Sequence, residues 1–424
     1  MRLLLVGAFP YPHHQGSQIY FQEQAIALRA VGLDVELLTY GSGLDPAAEN
    51  PGRWRALDGF VHHRSPAWTT PRSMKAGPGW GKPRADLGLG LALNDALASK
   101  MLQNSYYDAI LTHNVEACFV ALSVRKVRHE SSPPIIFCVH TLLGEELSTY
   151  SNYLKDKRNN SISSPALEAD KRLRRRLRKL VDASGRGLDR AVARRVDGWI
   201  ALTQSSHRVM RRHSNRPGAL IPPPLPDPRH WLDAFDPRAA AKRHRLPYKD
   251  FYLYSGNLDG YQELEWLVRA SQRRSRAGPK IVVASHDPAV FDAYAAEGFG
   301  LESRLVESEA EMISLTGAAR ATLVPRRTQG GFPIKLANSL AVGTAPIAFL
   351  EKEWGLRDGE NALIARGEAP EIGLAQAIDA LDASPELATR LGKGARALYE
   401  SNHRPQACAE KTALLIQKAI DAQP

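Results

Sequence analysis

Cysteine is scarce in this chain: three residues in 424, at Cys118, Cys138 and Cys408. None stands in a CxxC spacing, so neither a disulfide framework nor a structural zinc is expected, and the compartment reads as the reducing cytosol. No apolar run approaches the roughly 18 to 20 residues that a membrane span needs. The opening Met1–Val6 is too short for a signal peptide and passes at once into Pro10-Tyr11-Pro12; it is expected to be a first strand. No cluster of His, Cys, Asp and Glu demands a metal, so none is expected. Acidic residues are outnumbered 45 to 56, for a net charge of +11. That balance favours a phosphate-bearing or polyanionic partner.

What is present organises itself around Arg326 to Pro346. An apolar strand, Ala321 to Val324, precedes it. Gly330 and Gly331 let the backbone turn sharply and approach a ligand. After Pro333 the pattern takes the helical period: Ile334, Leu336, Ala337, Leu340, Ala341. Gly343 stops the helix and Ala345 to Ala348 is the next strand. A strand, a glycine turn and a helix N-terminus together present several free N–H groups to an anion. Lys335, Arg326 and Arg327 add full positive charge. The structural alternative is an ordinary βαβ crossover with solvated basic residues.

The first half opens with a similar unit: a strand from Arg2 to Gly7, a long loop, a helix from about Gln18 to Val31, and a strand from Val35 to Thr39. Gly16 and Ser17 sit where that helix begins and are expected either to face a phosphate or sugar or simply to cap it. Residues 43 to 90 read as irregular, and a helix is expected from about Leu87 to Asn104. Strands follow at Asp108 to Thr112 and Ile135 to Val139, with a helix from Glu116 to Arg128 between them. His140 lies just past the carboxyl end of its strand, where open α/β sheets place their sites; a histidine there orients a substrate hydroxyl, or is satisfied by backbone. His113 has the same placement and the weaker case.

Lys171 to Val181 (KRLRRRLRKLV) carries an apolar stripe among arginines. It reads as a helix for an anionic membrane surface or as a core helix with a solvated basic face. No aromatic platform accompanies the charge, so nucleic acid is not an expected partner. Strands are expected at Val196 to Thr203 and Ala219 to Ile221. The run Pro222-Pro223-Pro224-Leu225-Pro226 then suits a hinge. The second half restarts with a strand at Phe251 to Ser255 and a helix from about Tyr261 to Arg276. Further expectations are a strand at Lys280 to Ala284, a helix at Pro288 to Glu297, a short strand at Leu305-Val306 and a helix at Glu309 to Ala318. The chain closes with a strand at Asn361 to Ala365 and helices at about Pro370–Ala383, Pro385–Glu400 and Pro405–Ala422. Alternation of this kind implies two α/β domains with parallel sheets, residues 1–224 and 225–404, with the helix of 405–424 packing back on the first.

The order of these elements resembles the retaining family-4 (group 1) nucleotide-sugar glycosyltransferases. The resemblance is carried by the Gly16-Ser17 loop, His140 after IIFCV, DGWIALTQSS followed by ALIPPP, and the pair LYSGNLDGYQELEWLVRA and GGFPIKLANSLAVGTAP. It implies the GT-B fold, two Rossmann-like domains facing a central cleft. It implies a nucleotide diphosphate sugar as co-substrate, no further cofactor, and transfer with retention in which the leaving phosphate helps deprotonate the acceptor. His140 is then the catalytic-site residue. Gly16, Ser17, Gly256, Asn257, Arg326, Arg327, Gly330, Gly331, Lys335, Asn338 and Ser339 form the donor site. The departures are local. The family places an arginine and a lysine where Asn257 and Gln262 stand, and glutamates where Gly330 and Asn338 stand. Two charges of each sign are replaced by neutral residues. Lys335, Arg326 and Arg327 could supply the lost cations, with Asn338 and Ser339 on the nucleoside side.

The reading is therefore a hexosyltransferase on the cytoplasmic side, peripheral on the inner face of the membrane through 171–181, with a lipid-linked or saccharide acceptor and a role in cell-envelope polysaccharide biosynthesis. The alternative is a non-catalytic glycosyltransferase-like subunit of an envelope assembly, for which the four substitutions speak. A sugar-nucleotide epimerase ranks last, since no carboxylates stand at the turn.

Overall fold

The computed structural model describes residues 1–12, 16–41, 59–70, 81–128, 132–147, 183–231, 235–256, 262–274, 278–286, 301–327 and 330–423. These divide into two compact units: Met1–Pro224 with Gly330–Phe332 and Pro405–Pro424, and Leu225–Gln329 with Pro333–Arg404.

In the first unit β1 (Arg2–Gly7), α1 (Gly16–Ala30) and β2 (Asp34–Thr39) form the opening βαβ crossover. Then come β3 (His62–Arg64), α2 (Lys82–Leu102), β4 (Ala109–His113), α3 (Asn114–Arg128) and β5 (Ile135–Val139). β6 (Gly198–Ala201), α4 (Gln204–His213) and β7 (Gly218–Leu220) complete the run. The seven strands form one parallel sheet in the order β3-β2-β1-β4-β5-β6-β7. β1 after Arg2, and β5 throughout, are apolar because both faces of the sheet are covered. Leu3, Leu4 and Leu5 have no exposed surface, and each such side chain contributes about 1.5–3 kcal/mol of burial. Thr203 starts α4 with a reciprocal cap: its hydroxyl accepts the Ser206 N–H, and the Ser206 hydroxyl accepts its own N–H, both at 3.3 Å. The C-terminal helix, Pro405–Asp421, packs on α1 and β6.

The second unit begins with the one-turn α5 (Pro228–Trp231), α6 (Pro237–Arg243) and β8 (Phe251–Ser255). It continues through α7 (Glu265–Arg273), β9 (Lys280–Ser285), β10 (Leu301–Leu305), α8 (Glu309–Ala318) and β11 (Ala321–Val324). It closes with α9 (Ile334–Val342), β12 (Ala345–Ala348), β13 (Leu363–Ile364), α10 (Pro370–Ala383) and α11 (Pro385–Asn402). Its parallel sheet runs β10-β9-β8-β11-β12-β13. Both sheets reverse strand order beside their first strand, at β1/β4 and at β8/β11. A crevice opens beyond the carboxyl ends at such a reversal.

Several expected elements are corrected. β3 lies in the stretch read as irregular. Its residues are polar and give no apolar run; Leu37 to Thr39 pair with them, the His62 ring meets the Thr39 hydroxyl at 2.8 Å and His63 meets Glu36 at 2.9 Å. α2 starts at Lys82, with Pro83 in the first turn where its missing N–H costs nothing, rather than at Leu87. α7 starts at Glu265 rather than Tyr261, because Glu263 adopts φ +55. The short strand expected at Leu305-Val306 is Leu301–Leu305, at the sheet edge, where buried Leu301 and Ser303 alternate with half-buried Glu302 and Arg304 and give no apolar run. The strand expected over Asn361–Ala365 is two residues long, since Asp358 and Asn361 side chains take the neighbouring N–H groups of Ile364 and Arg357 at 2.9 and 2.7 Å. The helix expected at 288–297, the basic run 171–181 and Asn257 lie outside the described residues. Among the described residues, no helix is long and apolar enough to cross a membrane.

Candidate active site

Each unit brings chemistry to its own strand reversal. In the second unit β8 ends at Ser255 and the chain turns at Gly256, φ +123. β11 ends at Val324 and runs on to Arg326 and Arg327. Pro333 sets up α9, and Gly343 ends it in the left-handed conformation at φ +72, with Thr344 N–H returning to the Ser339 carbonyl at 2.9 Å. Lys335 falls in the first turn of α9. Its Nζ lies 3.8 Å from the centroid of the Tyr254 ring and donates to Gln262 Oε1 at 3.0 Å. A Cβ added at Gly256 would stand 3.3 Å from that Nζ, so glycine leaves the ammonium its room. A cation in the first helical turn opposes the helix dipole. The face of Tyr254 and the carbonyl of Gln262 are two of the groups that hold it in place, and an ammonium so placed can meet an anion.

Arg327 is anchored by its backbone N–H to Glu263 Oε2 at 2.5 Å, and its guanidinium lies 5.4 Å from the Trp266 ring. Arg269 covers the same ring at 5.1 Å. Arg326 is half-buried and Asn338, one turn after Lys335, is also half-buried. Ser339 is placed differently from its expected role. It is fully buried, and its hydroxyl pairs with the Thr322 hydroxyl of β11 at 2.6 Å. Packing makes the correction: Lys335 and Asn338 stay half-buried, whereas the Ser339 side chain is closed off against Thr322 of the sheet.

In the first unit β4 ends in His113 and β5 is followed by His140. The two strands are in register, and the rings meet with His113 Nδ1 and His140 Nε2 at 2.8 Å. Tyr20 of α1 packs on both rings, at 5.2 and 4.9 Å between centroids, and Phe21 packs on His113 at 4.9 Å. The Tyr20 hydroxyl accepts a hydrogen bond from Gln24 at 2.8 Å. Burial lowers His140 to about 3 and, with the neighbouring His140 ring, takes His113 well below the ordinary 6.5. Both rings are neutral at neutral pH. Gly16 and Ser17 are the first two residues of α1, so their N–H groups have no intrahelical acceptor. Gly330 and Gly331 pack with this unit and hold φ +137 and +46; a Cβ on Gly331 would come 3.0 Å from the Thr141 hydroxyl.

Beside α2 and α3 stands a group that sequence reasoning passed over. Lys82 bonds Glu116 at 2.6 Å and the Tyr40 hydroxyl bonds Asp86 at 2.5 Å. Burial, aided by the charge of Glu116, raises the neighbouring Glu146 to about 6. A local signal existed: Glu116 follows His113 at the end of β4, and Glu146 follows His140 just past β5, each within a few residues. The Gln262 contact to Lys335 had no local signal, since 73 residues separate the pair.

Residues 15–224 match the family described as the glycosyl transferase 4-like domain. No curated protein matches the sequence significantly. Among solved structures, sucrose-phosphate synthase from Thermosynechococcus elongatus is similar with TM-score 0.72 at 17% identity, covering 100% of both chains. HepE of Anabaena, in complex with UDP-glucose, is similar with TM-score 0.64 at 12% identity, covering 98% of this chain and 99% of the other. WaaG, a glycosyltransferase involved in lipopolysaccharide biosynthesis, is similar with TM-score 0.59 at 14% identity over 98% and 99%.

Proposed function

We propose a transfer reaction for this chain on the premise that its residues 15–224 belong to the glycosyl transferase 4-like family and that its two parallel-sheet units are those of the GT-B fold. The chain takes a sugar from a nucleotide diphosphate donor and passes it, with retention, to a lipid or polysaccharide precursor of the cell envelope. The observation that carries the reading is Lys335, a cation in the first turn of α9 beside the β8/β11 reversal, set against the Tyr254 ring and the Gln262 carbonyl. HepE is seen with UDP-glucose on a related fold, which supports a nucleotide sugar as donor.

In this reading Lys335, Arg326 and Arg327 take the diphosphate. The N–H groups at the start of α9 and those of Gly330 and Gly331 supply hydrogen bonds, and Gly256 leaves room for the phosphates. Asn338 faces the nucleoside; its amide replaces a glutamate without charge assistance. The bond from the anomeric carbon to the phosphate oxygen breaks and the acceptor oxygen takes its place. The acceptor proton leaves with the diphosphate, so no carboxylate base is required. Catalysis rests on orientation and on stabilising the departing diphosphate. Neutral His140 hydrogen-bonds the sugar, and Gly16 and Ser17 offer N–H groups on the same side. The basic run 171–181 is the proposed contact with an anionic inner membrane face.

A thermal-shift series with UDP, GDP, ADP, CMP and their sugar conjugates tests the reading, because a ligand of the native state raises the melting temperature by mass action. One nucleotide diphosphate and its sugar conjugate are expected to raise it. Silence from every compound would overturn the donor site. It would favour the second reading, a non-catalytic envelope-assembly subunit, which neutral Gln262 and Asn338 support.

A further inference from the structure

We infer that His113 is a positioning residue that fixes the tautomer of His140, so that His140 presents an Nδ1–H donor to an oxygen of the bound nucleotide sugar. Only the naming of that ligand rests on the transfer reading; the tautomer stands on geometry alone.

Two neutral imidazoles joined by one hydrogen bond have two arrangements. In the first, His113 Nδ1–H donates to His140 Nε2. His113 Nε2 is then a bare acceptor, and the proton of His140 sits on Nδ1. In the second, His140 Nε2–H donates to His113 Nδ1, and His113 must carry its own proton on Nε2. That nitrogen is fully buried and has no hydrogen-bond partner among the described residues. An orphaned N–H in the interior is rarer and costs more than an unfilled lone pair.

The surroundings offer no rescue for the second arrangement. The walls of the His113 ring are Tyr20 and Phe21. The Tyr20 hydroxyl is engaged with Gln24. An N–H directed at an aromatic face is a weak substitute for a full bond. The first arrangement therefore prevails, and the burial that made His113 look like a passive core residue becomes the reason for its effect. Hydrogen positions follow from the bonding network, and here a single buried atom decides them.

The consequence falls on His140. Its Nδ1 takes no hydrogen bond from the described residues. His113 has no exposed surface, whereas His140 keeps 7% of its own and its Nδ1 is not among the fully buried unpartnered atoms, so in this tautomer solvent meets the Nδ1–H of the free protein and a bound oxygen takes that place. A free histidine side chain favours the proton on Nε2, so His140 keeps the Nδ1–H form only while His113 donates to it. His140 can then steady an oxygen of the sugar, and it cannot withdraw a proton through that nitrogen.

The test uses the full chain labelled with 15N at histidine. Two-bond 15N–1H correlations report which ring nitrogen carries the proton. Both His113 and His140 are expected in the Nδ1–H form. His140 found as Nε2–H would overturn the inference. His113→Asn keeps an N–H donor near the position of Nδ1, and His113→Leu fills the space without one. His140 is expected to stay Nδ1–H in the first variant and to revert to Nε2–H in the second. With UDP-glucose as donor probe, kcat/KM should fall about tenfold in His113→Leu, one hydrogen bond's worth, and recover in His113→Asn. Equal rates in the two variants would count against the positioning role. Should His113→Leu fail to fold, the spectra of the native chain and of His113→Asn still decide. Should UDP-glucose and every other donor fail to bind while both histidines report Nδ1–H, the transfer reading falls and the tautomer stands.

Discussion

The two units share a strand order and place opposite chemistry at the same point of it. At the β1/β4 reversal the first unit buries two neutral histidines under Tyr20 and Phe21. At the β8/β11 reversal the second unit collects Lys335, Arg326 and Arg327 around glycine turns. A topological switch point therefore fixes where a ligand sits and leaves open what kind it is. The neutral crevice suits uncharged hydroxyls, where a full charge would cost desolvation. The cationic one suits a diphosphate.

The largest expected effect breaks the cationic side. Lys335→Ala should raise the Kd of the nucleotide that binds by about a hundredfold, near 2.7 kcal/mol, as loss of a charge-assisted bond to phosphate does. Lys393→Ala, an exposed charge on α11 of the same unit, should leave it within twofold. Calorimetric titration with UDP or whichever nucleotide stabilises the chain reads both. Equal affinities in the two variants would remove Lys335 from the site.

The strands at these reversals were legible because burial on both faces writes itself as continuous apolar runs: Arg2–Gly7, Ile135–Val139, Ala321–Val324 and Ala345–Ala348 stand where the sequence places them. The α9 helix was legible from its period and its Pro333 and Gly343 ends. β3 was not, because an edge of His62, His63 and Arg64 is held by partners on Glu36 and Thr39 rather than by apolar pattern. Pair chemistry was the least legible. His140 could be singled out by position, yet the bond to His113 follows from the register of β4 against β5. Ser339 was assigned to a ligand from its neighbourhood, and only the inward face of α9 against Thr322 shows otherwise.

The neutral side of the comparison is sharpened by acid. His140 is held to about 3 by burial and His113 is depressed as well, whereas both titrate near 6.5 once unfolded. Below 6.5 the unfolded chain binds protons that the folded chain does not, so stability falls as pH falls and is fully present above that value. Each histidine should cost about 1 kcal/mol between pH 6.5 and 5.5. Urea unfolding across that window measures it. His113→Asn should lose about half of this acid sensitivity; an unchanged slope would mean that the pair is charged or solvated in the native chain.

The smallest effect asks whether the second unit has moved a cation rather than lost one. By resemblance, position 262 belongs to a lysine, and here Gln262 accepts from Lys335 at 3.0 Å. Two side chains from distant points of the sequence thus meet where one positive charge is wanted. If the charge matters and its origin does not, Gln262→Lys in the Lys335→Ala background should recover about tenfold of the lost affinity, since an ammonium returns to the neighbourhood of Tyr254 and Gly256. In the native background the same Gln262→Lys change sets two ammonium groups side by side without a ligand. It should lower the melting temperature of the free protein and enlarge the shift produced by the nucleotide, because a diphosphate relieves that repulsion. Recovery in the first background with no added shift in the second would mean one charge saturates the site. No recovery would mean that the start of α9, and not merely a cation nearby, is what the phosphate requires.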